Sequence, residues 1–301
     1  MSVDIHLPES AIAAFLRKHH LPSAYRQLIT DHLSPLANWL LKHGTPRRTR
    51  LIGINGAQGT GKSTLADFIK IALESSGEKT VAVLSIDDFY LTSAERQVLG
   101  REKHELLATR GAPGTHDIAM LTETLDALRS LGPGDVYHLP RFDKASDDRA
   151  LAADWPTVKG PLDFVILEGW CVGSVAQPDI ELGSPVNDLE RRRDPDGTWR
   201  HYVNDRLASD YAAVFAKLDA LVFLKAPSFG AVYRWRLEQE HKLAATRPSE
   251  APGIMDELQI AEFIQHYERI TRSNLEHIGN SADIVLELDE YHQCIASRFR
   301  N

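Results

Sequence analysis

The sequence predicts an α/β fold in which a parallel sheet is covered by helices on both faces. Short apolar runs of strand length alternate along the chain with longer stretches whose apolar residues recur at helical spacing. The runs are apolar throughout, as is typical of parallel strands that are buried on both faces. Five runs have this character: RLIGI, KTVAVLSI, PLDFVILEGW, LDALVFLKAP and ADIVLELD.

Residues 1–48 lack such a run, and we expect them to form an N-terminal helical extension. Apolar residues at helical spacing over residues 10–43 predict its helices, and Pro35 is expected to break or kink the second of them. Residues 49–301 are predicted to form the sheet domain. The length permits one large α/β domain or two small ones, and no linker divides this part of the chain clearly.

Helices are expected to connect the strands. One should follow the first strand, two are predicted over residues 93–109 and 117–131, and a long one over about residues 256–278. Residues 173–206 are rich in proline, aspartate, arginine and glycine. That composition predicts an exposed insertion.

Composition and charge disfavour several classes of function. The chain has 301 residues and a formal net charge of −8, so a broad electrostatic grip on nucleic acid is not expected. No apolar run approaches the roughly 18 residues that cross a bilayer, and the first residues lack a secretory signal pattern. Cys171 and Cys294 are far apart and have no metal-ligand spacing. They are interpreted as reduced thiols of a cytoplasmic protein.

The stretch INGAQGTGKSTLADF contains the pattern G-x-x-x-x-G-K-[ST], formed by Gly56, Gly61, Lys62 and Ser63. It follows a predicted strand and leads into a predicted helix. Glycines let the backbone N–H groups of such a loop point at phosphate oxygens, and the start of the helix adds the positive end of its dipole. Lys62 should reach the β and γ phosphates, and the Ser63 hydroxyl suits Mg²⁺.

The loop therefore predicts ATP and Mg²⁺ as cofactors. Thr64 is expected either to face the α phosphate or to pack in the first turn of the helix. The predicted nucleotide-binding residues are Gly56, Ala57, Gln58, Gly59, Thr60, Gly61, Lys62, Ser63 and Thr64.

Carboxylates stand at the ends of two other predicted strands. Glu168 follows FVIL, and Asp87 and Asp88 follow KTVAVLSI. A phosphate-binding loop needs a carboxylate near its Mg²⁺ ion. Ser63, Asp87 and Glu168 are the predicted metal-binding residues. One aspartate of the pair should deprotonate the acceptor hydroxyl, and the other could cap the following turn.

Two other nucleotide-binding classes fit the sequence poorly. The chain has no N-K-x-D motif of the kind that reads guanine, and no LSGGQ-like stretch of a transporter ATPase. An acid pair after the second strand suits a kinase with a small acceptor. A different class, an ATP-binding switch without a small acceptor, stays open as a rival.

The segments SIDDFYLT, RGAPGTHD, PRFDKASDDR, LEGWCVG and VYRWRLEQE, in this order, resemble those of the D-glycerate 3-kinase family. This family is related to uridine kinase, phosphoribulokinase and pantothenate kinase. The resemblance implies a P-loop kinase fold with a five-stranded parallel sheet. The implied strand order is residues 80–86, 162–168, 49–54, 219–225 and 283–288. It also implies transfer of a phosphoryl group from ATP to a primary hydroxyl, with D-glycerate as the expected acceptor.

The resemblance also implies roles for single residues. It favours Asp87 as the base, assigns Glu168 to Mg²⁺, and places a lid over about residues 228–247 whose Arg234 and Arg236 close over the transferring phosphoryl group. Lys62 completes the predicted catalytic set. The residues expected to bind the acceptor are Asp88, Tyr90, Arg110, His116, Asp117, Arg141, Asp143, Lys144 and Arg149.

The basic residues in this set predict an anionic acceptor, because an arginine binds a carboxylate through two parallel hydrogen bonds. The hypothesis is that Arg110 or Arg149 pairs with the acceptor's carboxylate. Two departures from the family's pattern affect the acceptor pocket. The stretch FDKASDDR is shortened, and Phe142 replaces the usual tyrosine. A kinase of the same fold that acts on pantothenate, a nucleoside or a sugar is therefore the main alternative.

Overall fold

The computed structural model describes residues 5, 7–43, 48–77, 79–246 and 255–300, with side chains described except at residues 242–246. The end of the predicted lid, and parts of the predicted N-terminal extension, lie outside these residues. No described helix combines the length and the apolar character that crossing a membrane requires.

The described helices, in chain order, are α1 (Glu9–Lys18), α2 (Tyr25–Leu28), α3 (Ser34–Lys42), α4 (Lys62–Ser75), α5 (Ser93–Glu102), α6 (Ile118–Ser130), α7 (Asp179–Leu182), α8 (Asp188–Arg193), α9 (Thr198–Arg206), α10 (Ala212–Phe215), α11 (Phe229–Thr246) and α12 (Glu257–Ser281). The strands are β1 (Arg50–Gly56), β2 (Val81–Ser85), β3 (Val136–His138), β4 (Phe142–Asp143), β5 (Asp148–Arg149), β6 (Thr157–Lys159), β7 (Phe164–Gly169), β8 (Ala220–Lys225), β9 (Ile284–Leu288) and β10 (Cys294–Phe299). Short 3-10 helices cover Ile86–Phe89, Glu105–Ala108 and Ala152–Asp154, and π-helical turns cover Ile29–Leu33 and Leu207–Tyr211.

The central sheet has the strand order β10-β9-β8-β1-β7-β2. All neighbours pair in parallel except β9 and β10, which are antiparallel. The five predicted parallel strands and their order are confirmed, and β10 is an addition that the sequence did not indicate. Most residues of β10 are half-exposed or exposed, so it lacks the apolar run that marks a buried strand. The pairs β3–β6 and β4–β5 form two small antiparallel ribbons beside the main sheet.

The register of the sheet brings three strand ends together. Glu168 near the end of β7 lies opposite Ile54 of β1 on one side and Ser85 of β2 on the other. Both β1 and β7 are buried along their whole length. Because the carboxyl ends of parallel strands meet at one edge of a sheet, the loops after β1, β2 and β7 form a common site at that edge.

The helices of the N-terminal segment pack on the P-loop helix α4. Phe15 of α1 contacts Phe68 of α4 edge-to-face, with ring centroids 5.5 Å apart. The predicted interruption near Pro35 takes the form of the π-helical turn Ile29–Leu33, after which Pro35 lies in the first turn of α3, where its missing N–H is tolerated. The division into an extension over residues 1–48 and a kinase domain over residues 49–301 stays a prediction.

Residues 173–206, which were predicted to form an exposed insertion, include buried charged residues as well as exposed ones. Glu190 and Asp194 are fully buried. Arg269 of α12 donates two hydrogen bonds to Glu190, at 2.8 and 2.6 Å, and Arg200 donates to Asp194 at 2.9 Å. Charged residues can be buried when they are paired and hydrogen-bonded, so a polar composition alone did not indicate exposure here. In the charged run ERRR, residues 190–193, the arginines are exposed but Glu190 is buried.

Candidate active site

The loop between β1 and α4 has the geometry of a phosphate cradle. Gly59 and Gly61 have φ angles of 80° and 89°, which residues with a side chain rarely adopt. Packing restricts this loop as well. A Cβ on Gly56 would lie 2.6 Å from Thr60 Oγ1, and one on Gly59 would lie 2.8 Å from the Cβ of Trp235. The free N–H groups at the start of α4 therefore lie at the end of a tightly folded loop, where they suit an anion.

Lys62 begins α4, and its Nζ donates a hydrogen bond of 3.0 Å to the carbonyl oxygen of Ala57 in the loop. Burial lowers the pKa of Lys62 below its ordinary value, although the carboxylates of Glu168 and Asp87 act in the opposite direction. The ammonium group thus lies between the loop and two carboxylates, where a phosphate chain would bring compensating negative charge.

Ser63 and Glu168 meet across the site. The hydroxyl of Ser63 donates a hydrogen bond of 2.8 Å to Glu168 Oε1, and Glu168 is 7% exposed. Hydroxyl and carboxylate oxygens are ligands that suit Mg²⁺, which usually takes few protein ligands and relies on water and substrate phosphates. Within the described residues no group of three or more His, Cys, Asp or Glu side chains could hold a metal. The Ser63–Glu168 pair suits an ion that is bound mainly through a nucleotide.

Thr64 lies on the side of the helix that faces the N-terminal segment. Its hydroxyl is 3.4 Å from Nδ1 of His19, whose Nε2 is 2.7 Å from Asp67. The sequence left two roles open for Thr64, and the contact with His19 agrees with packing in the first turn of the helix. Binding of the α phosphate stays a prediction.

Asp87 lies in the 3-10 helix after β2 and receives two hydrogen bonds. Tyr90 donates to Oδ1 at 2.9 Å, and Lys144 donates to Oδ2 at 2.6 Å. Burial tends to raise the pKa of Asp87, but the adjacent ammonium of Lys144 outweighs it and holds the pKa below its ordinary value. Asp87 is therefore an ionised, oriented carboxylate at the same sheet edge as the P-loop.

Asp88 points to a different partner. Arg141 donates to Asp88 Oδ2 at 3.0 Å, and the backbone N–H of Phe142 lies 3.4 Å from its Oδ1. Burial raises the pKa of Asp88 above its ordinary value, despite the nearby guanidinium. The side chain that caps the turn is Ser85, which accepts from the N–H of Asp87 at 3.3 Å. Asp88 thus holds β4 in place, and its suggested role as a cap stays a prediction.

The basic residues predicted to bind the acceptor all lie in ion pairs. Besides Lys144 with Asp87 and Arg141 with Asp88, Arg149 donates to Asp117 at 3.0 Å and Arg110 pairs with Asp147. Asp117 also accepts from the N–H of Met120 and so caps α6. These loops are close to neutral as a group, which the count of basic residues in the sequence did not reveal.

Asp143, by contrast, does not reach the other predicted acceptor residues through a hydrogen bond. Its carboxylate accepts from the N–H groups of Ala145 and Ser146 at 3.0 and 3.3 Å, in the turn between β4 and β5. This contact shapes the loop that carries Lys144.

His116 lies beneath Asp87 and its partner Tyr90. The His116 ring stacks on Tyr90 with centroids 4.5 Å apart, and its Nδ1 is 2.6 Å from the hydroxyl of Tyr211. Burial lowers the pKa of His116 to about 4, so the ring is neutral at physiological pH. His116 also borders a groove of about 660 Å³ whose lining includes Tyr202 and Arg206 of α9.

The two predicted lid arginines lie on α11 and form different ion pairs. Arg234 pairs with Glu290, whereas Arg236 pairs with Glu240 at 2.7 Å. Trp235, between them, is buried and packs against Gly59 of the P-loop, so α11 contacts the nucleotide side of the site directly.

The sequence did not indicate that Tyr267 belongs to this region. Tyr267 of α12 is buried, and its hydroxyl lies against Gly111 in the loop RGAPGTHD. Trp170, which follows β7, donates from Nε1 to the carbonyl oxygen of Gly111 at 3.1 Å and contacts the Tyr267 ring edge-to-face. The sequence marks Tyr267 only as an apolar position of an amphipathic helix, which gives no sign of a site.

Comparison with known proteins agrees with this geometry, although no protein-family model matches the chain. The chain is 35% identical to "Uncharacterized kinase mug58" of Schizosaccharomyces pombe over 258 residues, which cover 81% of this chain and 90% of the relative. It is 33% identical to "D-glycerate 3-kinase, chloroplastic" of Arabidopsis thaliana over 84% of this chain and 55% of the relative. The chain belongs to the D-glycerate 3-kinase family.

The fold of this family member is also found among solved structures. A D-glycerate 3-kinase from Cryptococcus neoformans var. grubii superposes with a TM-score of 0.74 over 89% of this chain and 99% of that chain, at 23% identity. At that identity the likeness shows the P-loop kinase fold. The relatives identify the chain as an ATP-dependent kinase, a phosphotransferase with an alcohol group as acceptor.

Proposed function

We propose that this kinase phosphorylates the primary hydroxyl of D-glycerate and produces 3-phosphoglycerate, with ATP and Mg²⁺ as cofactors. The observation that carries the proposal is the position of Asp87. Its ionised carboxylate lies at the edge of the sheet that also carries the P-loop and the Ser63–Glu168 pair. A base beside a phosphate cradle is the arrangement needed to activate a hydroxyl for attack on a γ phosphate. The name of the Arabidopsis relative supports D-glycerate as the acceptor.

The P-loop residues bind and orient the phosphate chain. The N–H groups of the loop and of the start of α4 donate to phosphate oxygens, and Lys62 adds a positive charge. Ser63 and Glu168 would hold Mg²⁺, with Asp87 nearby. When bound, the ion supplies neutralisation of the charge on the phosphate oxygens.

Asp87 acts on the acceptor. Its carboxylate accepts the proton of the acceptor's primary hydroxyl as that oxygen bonds to the γ phosphorus and the bond from phosphorus to the ADP oxygen breaks. Tyr90 and Lys144 hold the carboxylate in one orientation through their hydrogen bonds at 2.9 and 2.6 Å. Both donors stabilise the ionised form of Asp87 and so make it a weak base. It therefore takes the proton only while the hydroxyl oxygen is bonding to the γ phosphorus, when that hydroxyl becomes more acidic.

Of the two lid arginines, we assign the role of stabilising the transferring phosphoryl group to Arg236. Its side chain is 16% exposed, and its guanidinium lies 5.8 Å from the ring centroid of Phe263, which packs against Tyr267. Arg234 is 54% exposed and pairs with Glu290, which follows β9. Residues 234 and 236 point in nearly opposite directions on a helix, which accounts for the difference.

The rival functions predict other acceptors or none. Pantothenate, a nucleoside or a sugar would use the same phosphate cradle and base. An ATP-binding switch would need no base, and the two hydrogen bonds that orient Asp87 speak against it. A cytoplasmic location is likewise part of the proposal, and the Arabidopsis relative is named as chloroplastic.

An acceptor screen tests the function. ADP release by the purified kinase with ATP and Mg²⁺ should be measured in a coupled assay against D-glycerate, glycerol, pantothenate, nucleosides and sugars. We expect D-glycerate to give the highest kcat/KM, and glycerol, which lacks the carboxylate, to be a poor acceptor. A higher kcat/KM for an uncharged nucleoside or sugar would assign the kinase to that acceptor class. Equal ADP release with and without every acceptor would support the switch.

A further inference from the structure

The acceptor side of the site contains a tyrosine hydroxyl without an assigned role. Tyr267 is 5% exposed, and its ring is fixed between Trp170, 4.8 Å away, and Phe263, 5.1 Å away, measured between ring centroids. Its hydroxyl oxygen is not fully buried, and it makes no hydrogen bond to any residue in the described part of the chain. A ring that is fixed this firmly holds its hydroxyl in one place, where it is available as a hydrogen-bond donor to a ligand.

The hydroxyl lies against the backbone of the loop RGAPGTHD. A Cβ on Gly111 would lie 2.9 Å from Cζ of Tyr267 and closer still to the hydroxyl oxygen. Gly111 also has a φ of 137°, so both its conformation and this contact require glycine. The Trp170 indole binds the carbonyl oxygen of the same glycine. The loop is thereby held in a position that brings its Arg110 and the Tyr267 hydroxyl into one region.

Charges around the hydroxyl connect it to the reacting groups. Burial raises the pKa of Tyr267 above its ordinary value, and the carboxylate of Asp87 raises it further, while Arg110 and Arg236 act in the opposite direction. The phenol therefore stays protonated and can donate a hydrogen bond at physiological pH. The hydroxyl also lies against Gly111 in the acceptor loop, where it is available to a bound acceptor.

Arg110 has donors to spare. Its side chain is 32% exposed, its guanidinium lies 5.8 Å from the Phe142 ring centroid, and one of its nitrogens pairs with Asp147. A guanidinium has five N–H groups, so that pair leaves others available. Arg149 is more constrained because its partner Asp117 is also the cap of α6. Of the two arginines considered from the sequence, Arg110 is the better placed to bind a ligand.

We propose that the Tyr267 hydroxyl and the Arg110 guanidinium together bind the carboxylate of the acceptor, at the end opposite the hydroxyl that Asp87 deprotonates. The inference rests on the proposed function, because it requires a hydroxy acid as acceptor. It makes Tyr267 a specificity residue, which distinguishes a charged acid from an uncharged polyol. It gives Tyr267 no part in proton transfer.

The test uses Tyr267→Phe, which removes only the hydroxyl, in the full-length kinase. KM and kcat are measured for D-glycerate, for glycerol and for ATP, with Tyr202→Phe on α9 as the matched control. Loss of a hydrogen bond to a carboxylate should raise KM for D-glycerate about 10-fold. We expect kcat, KM for ATP and kcat/KM for glycerol to change less than about twofold, and Tyr202→Phe to resemble wild type. Arg110→Met should raise KM for D-glycerate more than Tyr267→Phe does.

The outcomes separate this inference from the proposed function. An unchanged KM for D-glycerate in Tyr267→Phe, while wild type phosphorylates D-glycerate, overturns the inference alone. The inference is also overturned if Tyr267→Phe loses kcat/KM equally for D-glycerate and for glycerol. The same holds if Tyr267→Phe and Tyr202→Phe lose kcat/KM for D-glycerate equally. If wild type phosphorylates no hydroxy acid, the proposed function fails and the inference fails with it. Thermal melting of each variant distinguishes lost binding from lost folding, because removal of an unpartnered hydroxyl should leave Tm unchanged.

Discussion

The nucleotide side and the acceptor side of this site are built in different ways. On the nucleotide side, residues 56–64 follow one another in the sequence, and the fold only has to add Glu168 through the pairing of β1 with β7. On the acceptor side, Asp87, the loops that carry Arg110 and Lys144, and Tyr267 of α12 come from distant parts of the chain. The nucleotide side is thus specified locally, whereas the acceptor side exists only when the tertiary fold is complete.

The two sides also differ in charge. Lys62 lies near two carboxylates and beside N–H groups that suit a polyanion. On the acceptor side, each basic side chain that the sequence indicated pairs with an aspartate of the chain. Recognition of an anionic acceptor there cannot come from a general positive field. It has to come from individual donors that remain available within the ion pairs.

The largest expected effect comes from the residue that joins the two sides. Asp87→Asn should lower kcat by roughly 10²–10⁴, the range for loss of a general base, with KM for ATP little changed. Asp88→Asn is the matched control, since the hydrogen bonds of Asp88 go to Arg141 and the backbone of Phe142. Steady-state kinetics of both variants decide the matter. A greater loss in Asp88→Asn would show that the base is Asp88.

A somewhat smaller effect is expected on the nucleotide side. Lys62→Ala should lower kcat by about 10²–10³, because it removes one charged donor from the phosphates, and should raise KM for ATP as well. Lys70→Ala is the control on the same helix, where Lys70 pairs with Glu74 and donates to the carbonyl oxygen of Val81. Wild-type turnover in a Lys62→Ala protein that melts like wild type would contradict the phosphate cradle.

The sequence specified the nucleotide side well because its chemistry depends on local order. A strand, a glycine-rich loop and a helix are adjacent in the chain, so residues 54–68 contain both the motif and the structural context that supports it. Glu168 was also recognisable, since a carboxylate that ends a buried strand stands out from its apolar neighbours. The strand order, in contrast, came from the resemblance to a family, because pairing between strands is a long-range property.

The sequence specified the acceptor side less well for the same reason. It identified Arg110, Arg149 and Lys144 as basic, but their aspartate partners are 32 to 57 positions away in the chain. It assigned residues 173–206 to the surface because buried ion pairs such as Arg269–Glu190 are not visible in composition. Tyr267 was missed because a core tyrosine and a binding tyrosine have the same helical spacing.

Lys144→Met tests the ion pair on the base. Lys144 lowers the pKa of Asp87, whereas burial alone would raise it, so removal of the ammonium should raise that pKa. Asp87 must be ionised to accept a proton, and therefore the acid limb of the kcat/KM profile should move to higher pH. The loss of rate should be greatest at low pH and smaller at high pH. Lys144→Arg keeps the charge and should keep the wild-type limb, and an unmoved limb in Lys144→Met would show that Lys144 does not control the base.

The smallest expected effect is on stability, through His116. Its pKa is about 4 in the fold and about 6.5 when unfolded, so the unfolded chain binds the extra proton and stability falls as pH drops through this window. Titration of His116 should lower the free energy of unfolding by about 2 kcal/mol between pH 7.5 and pH 5. The variant His116→Gln has no titratable side chain at this position. Between pH 7.5 and pH 5 its free energy of unfolding, measured with urea, should therefore fall by about 2 kcal/mol less than that of wild type. Equal losses in the two proteins would mean that His116 titrates normally in the fold.

The most direct test of the central claim, that the two sides meet at Asp87 to phosphorylate a hydroxy acid, is the identity of the product. Wild-type kinase should be incubated with ATP, Mg²⁺ and D-glycerate, and the phosphorus-containing products followed by ³¹P NMR. The account predicts one new monoester signal, that of 3-phosphoglycerate, in amounts equal to the ADP formed, and no such signal with Asp87→Asn over the same time. Inorganic phosphate as the only product, or a phosphate on the secondary hydroxyl, would contradict it.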